Sequence, residues 1–265
     1  MGILTEKYSV LMSVYAKEKP EHLRASIDSI LKQTVSADDF VLVCDGFLTP
    51  ELEEVISELG GGLNVVRLSE NVGLAAALAA GLLHCANDLV MRMDSDDVAV
   101  PTRAEKQLLA MENADLCGGT AAEFERDIAD SVSRRELPSG HDEIVRFARR
   151  RNPFNHPTVM FRKSLVEKAG GYSGDFPLAE DYYLWVRMIS AGARCANVSD
   201  VLVYMRVGDG LYKRRSGRKY YKDMKKFYRY LYKSGFSAYK DYFICTRAQL
   251  MGSLFPKLTR KLLRK

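Results

Sequence analysis

A parallel α/β sheet is the fold class this sequence predicts, and three observations predict it. Four short, strand-like runs, Tyr8–Tyr15, Phe40–Cys44, Asn64–Leu68 and Asp88–Met93, occur in order along the chain. Helical patterns separate them, as βαβ units require. The third observation is size: 265 residues, 47% of them hydrophobic, suffice for one large domain with an appendage.

Each element has a local reason. Tyr8–Tyr15 (YSVLMSVY) is almost continuously apolar with β-branched members, the signature of a strand buried on both faces. Pro20 suits a first helical turn, and Leu23, Ile27, Ile30 and Leu31 follow at helical spacing. Asp45-Gly46 ends the second strand, and Pro50–Leu59 reads as an acidic helix stopped by Gly60-Gly61-Gly62. An alanine-rich helix is expected over Gly73–His84, and another from Pro101. Beyond Ala114 the pattern is mixed, with short strands at Leu116–Ala122 and Thr158–Phe161, a helix from Glu180 to Ala191 and a strand at Val201–Arg206. No internal repeat is found.

Charge divides the chain. Positions 206–265 hold 18 Lys/Arg against 3 Asp/Glu, a net +15, whereas positions 1–205 carry −10. An acidic body over 1–207 and a basic, aromatic-rich helical extension over 208–265 are therefore expected, divided at Gly208-Asp209-Gly210. The five cysteines are odd in number and widely spaced, which speaks against a disulfide framework or zinc knuckle and for a reducing compartment. No apolar run approaches the roughly 20 residues that span a bilayer. The first residues lack the layout of a secretory signal. A cytoplasmic protein is expected, peripheral at the inner face of the membrane.

Ligands of parallel sheets gather at the carboxyl ends of the strands. Asp94-Ser95-Asp96-Asp97 follows the fourth strand and sets three carboxylates within four positions. Mutual repulsion makes such a cluster costly unless a cation relieves it. Mg²⁺ or Mn²⁺, which take carboxylate and phosphate oxygens, fit. The alternative is an acidic loop capping the helix at Pro101.

The Tyr8–Tyr15 strand, Ser29–Thr34 (SILKQT), Asp45-Gly46, Asn71-x-Gly73-Leu74, the acidic cluster and Glu180-Asp181 occur in this order. Together they resemble glycosyltransferase family 2, inverting nucleotide-sugar enzymes of the GT-A fold, over about residues 8–206. The bacterial capsule, exopolysaccharide and O-antigen members are the nearest in kind. The resemblance implies a nucleotide-binding Rossmann-like sheet with a mixed acceptor-side half. It gives Asp45 to the uracil ring of a UDP-sugar, with Tyr15 and Glu18 lining the nucleotide pocket. Asp94 falls near ribose or the metal shell, and Asp96 on the cation bridging the diphosphate. Asp97 is left to cap the next helix. Arg206 falls where related chains carry an Arg near the diphosphate, while Arg92 and Arg103 flank the cluster, to touch phosphate or to hold the Asp side chains in structural salt bridges. Asp181, with Glu180, becomes the base that takes the proton of the acceptor hydroxyl. His156 belongs to an acceptor-side loop. The His that commonly follows the family's Arg is replaced by Val207, which removes one metal ligand. The implied partners are a UDP-sugar and a saccharide or polyprenyl-pyrophosphate-linked acceptor.

In the tail, Lys and Arg alternate with Tyr and Phe, and Leu254, Phe255, Leu258 and Leu262 recur at helical spacing. Basic flanks around an apolar stripe suit an anionic membrane surface. Two rival readings are weighed. A nucleotidyltransferase would carry a glycine-rich basic loop after the first strand, where Ala16-Lys17-Glu18-Lys19-Pro20 stands instead. A nucleic-acid-binding module would use the basic tail, but no recognised motif is present and the acidic body opposes a polyanion.

Overall fold

The computed structural model describes residues 6–131, 133–208 and 217–254. Strands β1 (Tyr8–Val14), β2 (Asp39–Cys44), β3 (Asn64–Arg67) and β4 (Leu89–Asp94) alternate with helices α1 (Pro20–Leu31), α2 (Pro50–Glu58) and α3 (Leu74–Leu82). They pair in parallel in the order β3-β2-β1-β4. The second half is mixed. Strands β5 (Val98–Ala99), β6 (Leu116–Phe124), β7 (Ser133–Arg135), β8 (Met160–Arg162) and β9 (Cys195–Arg206) extend the sheet as β4-β8-β6-β9-β5, and β7 pairs with β6. Helix α4 (Arg103–Met111) follows β5, α5 (His141–Phe147) and α6 (Lys163–Lys168) flank β8, and α7 (Glu180–Ser190) precedes β9. Helices α8 (Gly217–Lys233) and α9 (Tyr239–Leu254) complete the described chain.

Side chains alternate across the sheet, so each strand feeds two cores. Val10, Met12, Leu42, Met91 and Met93 pack with Leu23, Ile27, Leu52 and Leu108 of α1, α2 and α4. Leu11, Val41, Val43 and Val90 pack with Leu78 of α3 and Leu184, Trp185 and Met188 of α7. By this parity Arg92 and Asp94, which share the face of Val90, stand on the α7 side. A third cluster joins Ala179, Tyr182 and Val186 to Met224, Phe227, Tyr228 and Leu231 of α8 and Cys245 of α9.

Two local readings are corrected. Pro101 does not open α4. Its carbonyl accepts from the Thr34 amide at 2.8 Å, holding it in a turn, and the helix begins at Arg103. Thr158 is not in a strand, because its hydroxyl donates to the Asn155 carbonyl at 2.8 Å and draws the backbone into a 3₁₀ turn. The short β5 and β7 and helices α5 and α6 escape the sequence reading, being too brief to show a period.

The described residues of the tail form α8 and α9, and their aromatics divide. Phe227 and Tyr228 are buried against α7, while Tyr232, Tyr239 and Phe243 are exposed. The interleaving of aromatic and basic residues in α8 is thus mainly a docking stripe with a cationic outer face. Positions 209–216, and Phe255, Leu258 and Leu262, lie outside the described residues, as does the Leu254 side chain. No helix among the described residues is long and apolar enough to cross a membrane.

Candidate active site

Parallel register brings the first functional residues to one edge. Ser13 pairs with Asp94 and Val14 with Cys44, so β1, β2 and β4 end level. Asp45, just past β2, is buried. Its Oδ1 accepts from the Val72 amide at 2.7 Å, and its Oδ2 from the Gly73 amide at 3.1 Å and Asn71 Nδ2 at 3.0 Å. The carboxylate thereby anchors the loop that starts α3. Gly46 makes this possible: its φ is +84°, and a Cβ there would lie 2.8 Å from the Asn71 nitrogen. Tyr15, Phe47 and Val72 are exposed apolar groups around this edge. Glu18 accepts from the Ser95 hydroxyl at 3.2 Å and pairs with His22 at 3.3 Å. Burial and Arg206, outweighing Glu18, push His22 below its ordinary value.

The acidic cluster is compact. One oxygen each from Asp94, Asp96 and Asp97 lie within 4.8 Å of one another. Asp94 is gripped by both terminal nitrogens of Arg92, Nη1 at 2.6 Å and Nη2 closer still, and Arg92 is 1% exposed. Asp97 is not a helix cap. Its Oδ1 accepts from the Arg206 amide at 2.7 Å, and its Oδ2 is buried with no hydrogen-bond partner among the described residues. The Arg206 Nε donates to the Asp96 carbonyl at 3.1 Å, and its guanidinium rests on Phe124. Burial, with Asp94 and Glu18 nearby, raises the Asp96 carboxyl to about 7. Burial and its two neighbours push Asp97 up as well. An orphaned carboxylate oxygen facing two other carboxylates is the donor set a hard divalent cation satisfies. Arg103 stays off the cluster: fully buried, it donates to the Arg92 carbonyl at 2.7 Å and to Gln107 at 2.9 Å. Burial and Arg92 lower it to about 9, which keeps it cationic at neutral pH.

The second acidic pair opens α7, where the helix dipole favours carboxylates. Asp181 Oδ1 accepts from the Tyr182 amide at 2.7 Å and Oδ2 from Asn152 Nδ2 at 2.6 Å. Burial, then Asp181, raises Glu180 to about 7, and Arg92 opposes the shift. Tyr172 lies within electrostatic reach of Arg92, Asp181, Asp94 and Glu180 together. The two acidic groups therefore lie in the neighbourhood of one side chain. His156 Nε2 is 3.4 Å from the Tyr172 hydroxyl, and its ring meets Trp185 edge-on. Burial and Arg92 push His156 well below its usual value, so the ring is neutral.

The structure therefore gathers Glu18, Arg92, Asp94, Asp96 and Arg206 near the end of β4 and sets Glu180 and Asp181 at the start of α7, with His156 against Tyr172. Tyr15 and Asp45 sit at the strand edge, and Arg103 is left out. Sequence reasoning missed Asn152, Tyr172 and the bonding of Asp97. Asn152 follows three arginines and Tyr172 follows Gly170-Gly171, so neither sits in a pattern that signals chemistry.

Comparison with known proteins agrees. Residues 9–170 match the family described as Glycosyl transferase family 2. The amylovoran biosynthesis glycosyltransferase AmsE of Erwinia amylovora is 41% identical over 227 residues, 84% of each chain. An Escherichia coli UDP-Gal:alpha-D-GlcNAc-diphosphoundecaprenol beta-1,3-galactosyltransferase is 37% identical over 257 residues, 95% of this chain and 93% of that one. The mannosyltransferase PcManGT of Pyrobaculum calidifontis, solved with GDP-Man and Mn²⁺, superposes with a TM-score of 0.65 at 17% identity, covering 94% of this chain and 70% of its own. A GT-A sheet whose strand ends carry these carboxylates, matched over most of its length by such relatives, makes this chain a glycosyltransferase of family 2.

Proposed function

We propose that the enzyme transfers a sugar, with inversion, from a UDP-sugar to a saccharide or polyprenyl-pyrophosphate-linked acceptor in cell-surface polysaccharide synthesis. The carrying observation is that Arg92, bonded to Asp94 at 2.6 Å, lies within electrostatic reach of both Tyr172 and Glu180, which brings the Asp94–Asp97 cluster and the Glu180–Asp181 pair into one neighbourhood. Relatives named for amylovoran synthesis and for a UDP-Gal donor with a diphosphoundecaprenol acceptor support the substrate classes.

Asp96 and Asp97, with Asp94 steadied by Arg92, would hold a Mn²⁺ or Mg²⁺ ion. When bound, that ion neutralises charge on the donor diphosphate. Arg206, beside Asp96, adds positive charge at the same place. Tyr15, Phe47 and Val72 offer flat apolar surface for the base. Asp45 already accepts three hydrogen bonds, which leaves it about one lone pair for a base N–H. An ordinary Asp lies far below an alcohol in pKa, so Asp181 takes the hydroxyl proton only as the C–O bond forms. Asn152 and the Tyr182 amide hold its carboxylate in place for that transfer.

The extension over 208–265 is read as a membrane-facing addition to the catalytic body over 1–207. Helix α8 carries seven cations against Asp223, and α9 exposes Tyr239, Phe243, Ile244 and Met251 beside Lys240 and Arg247. Such a surface suits an anionic cytoplasmic leaflet and brings the enzyme to a lipid-anchored acceptor.

The test is a screen of nucleotide sugars with Mn²⁺, followed through two variants. Asp96→Ala is expected to abolish metal-dependent UDP binding. Asp181→Asn is expected to keep UDP binding and to lose at least about 100-fold in transfer. Normal turnover in Asp181→Asn would remove the base assignment, and undiminished Mn²⁺-dependent binding in Asp96→Ala would remove the metal assignment.

A further inference from the structure

The segment leading to Asn152 carries charge that neither the donor side nor the base accounts for. Helix α5 ends at Phe147, and Arg146, Arg149, Arg150 and Arg151 fall within six positions, all exposed. The amides of Arg150 and Arg151 both donate to the Phe147 carbonyl at 3.0 Å, which sets the turn. Of these four arginines only Arg150 has a carboxylate partner among the described residues, the buried Asp241 of α9 at 2.5 Å. That pair turns the middle arginine toward α9 and leaves its two neighbours for other work. The dipole at a helix C-terminus favours a single surface cation, which does not account for a mutually repelling cluster. The surrounding body is acidic, so the cluster is a local reversal of sign.

Its place gives it meaning. Arg151 precedes Asn152, whose amide holds Asp181 at 2.6 Å, and one residue of chain spans at most about 3.6 Å. Arg151 also acts electrostatically on Tyr228 and Cys245, which puts it toward the seam between the body and α8–α9. The donor diphosphate has its own partners in the Asp94–Asp97 cluster and Arg206, so these arginines face a second anionic group. Guanidinium forks match phosphate oxygens in paired hydrogen bonds.

We propose that Arg149 and Arg151, with Arg146 beside them, form an anion site on the acceptor side that takes the phosphates of a diphosphate-linked saccharide. This rests on the reading of Asp181 as the base that faces the acceptor. Anchoring the diphosphate there sets the attached sugar toward the carboxylate, and the tie from Arg150 to α9 keeps the site at the seam where a lipid chain would leave.

The first measurement is calorimetric titration with inorganic pyrophosphate in EDTA, on the full chain. The intact protein is expected to bind, Arg149→Ala/Arg151→Ala to bind at least about tenfold more weakly, and Asp96→Ala to keep its affinity. Equal affinity in the double variant, loss in Asp96→Ala, or no binding by the intact protein each overturns the site. If the double alanine variant melts early, Arg149→Lys/Arg151→Lys replaces it, keeping charge and losing the fork; unchanged affinity there overturns the paired recognition. A second arm separates the sources of phosphate. Phosphatidylcholine vesicles carrying undecaprenyl diphosphate should lose the double variant, while phosphatidylglycerol vesicles of equal surface charge should hold it. Equal loss from both would make the arginines general lipid contacts and overturn the proposal. Pyrophosphate binding is read without sugar transfer, so a protein that binds it yet transfers no sugar refutes the catalytic reading and not the anion site.

Discussion

Asp45 shows how much local structure one buried carboxylate can hold. Three donors from Asn71, Val72 and Gly73 converge on it, and removing it leaves buried donors unpaired. Asp45→Ala is expected to cost about 2–4 kcal/mol, read from urea denaturation without ligand. A variant of full stability that loses only UDP binding would instead make Asp45 purely a base contact. Glu180 makes a pH prediction. Its folded pKa, about 7, lies above the ordinary Glu value of about 4.3, so the native state binds more protons than the unfolded chain between those values. Stability therefore falls as pH rises from about 4 to 7, and the penalty is complete above 7. Glu180→Gln should melt about 2–4 °C higher than the parent at pH 8 and together with it near pH 4. That is roughly 1 kcal/mol in a chain of this size, after allowing for solvent at a half-buried group.

Among the elements, β4 and α7 decide the site. Alternation along β4 sends Met91 and Met93 into the core under α1 and α4 and sends Arg92 to the opposite face with Asp94. Helix α7 is buried on two sides, by Leu184, Trp185 and Met188 against the sheet and by Tyr182 and Val186 against α8. Its first turn is consequently held in place with little freedom. Arg92→Met should leave Asp94 unpaired among three carboxylates, lower the melting temperature of the metal-free protein and increase its stabilisation by Mn²⁺. Thermal melts with and without Mn²⁺ check this, and an unchanged Mn²⁺ increment would deny Arg92 that positioning role.

At the scale of the molecule, the tail is a brace as well as a charged surface. Phe227 stacks among Phe176, Tyr182 and Tyr230 at centroid distances of 5.2, 4.7 and 6.4 Å. Deleting 217–265 would expose the outer face of α7. The truncated chain should melt lower and transfer less, with Asp181 no longer held. Charge reversal on the outer face, Lys219→Glu/Lys222→Glu/Arg229→Glu, leaves that packing in place. It should release the protein from anionic vesicles with little change in melting temperature, as flotation at low and high salt would show. Vesicle binding that survives charge reversal would place membrane affinity elsewhere.

What could be read without coordinates was local. Apolar runs and helical spacing identified β1 to β4 and α1 to α3, because those periods are written over neighbouring residues. The acidic run after β4 and the Glu180-Asp181 pair announced themselves by composition alone. Tertiary structure decided how they act, since the deciding contacts join distant positions: Asp97 to the Arg206 amide across 109 residues, and Arg150 to Asp241 across 91. No short-range pattern encodes such pairings. They arise when the closing of the sheet and the burial of α7 bring separate segments together, and only there is one aspartate left with an orphaned oxygen, a second clamped by an arginine and a third held by an asparagine.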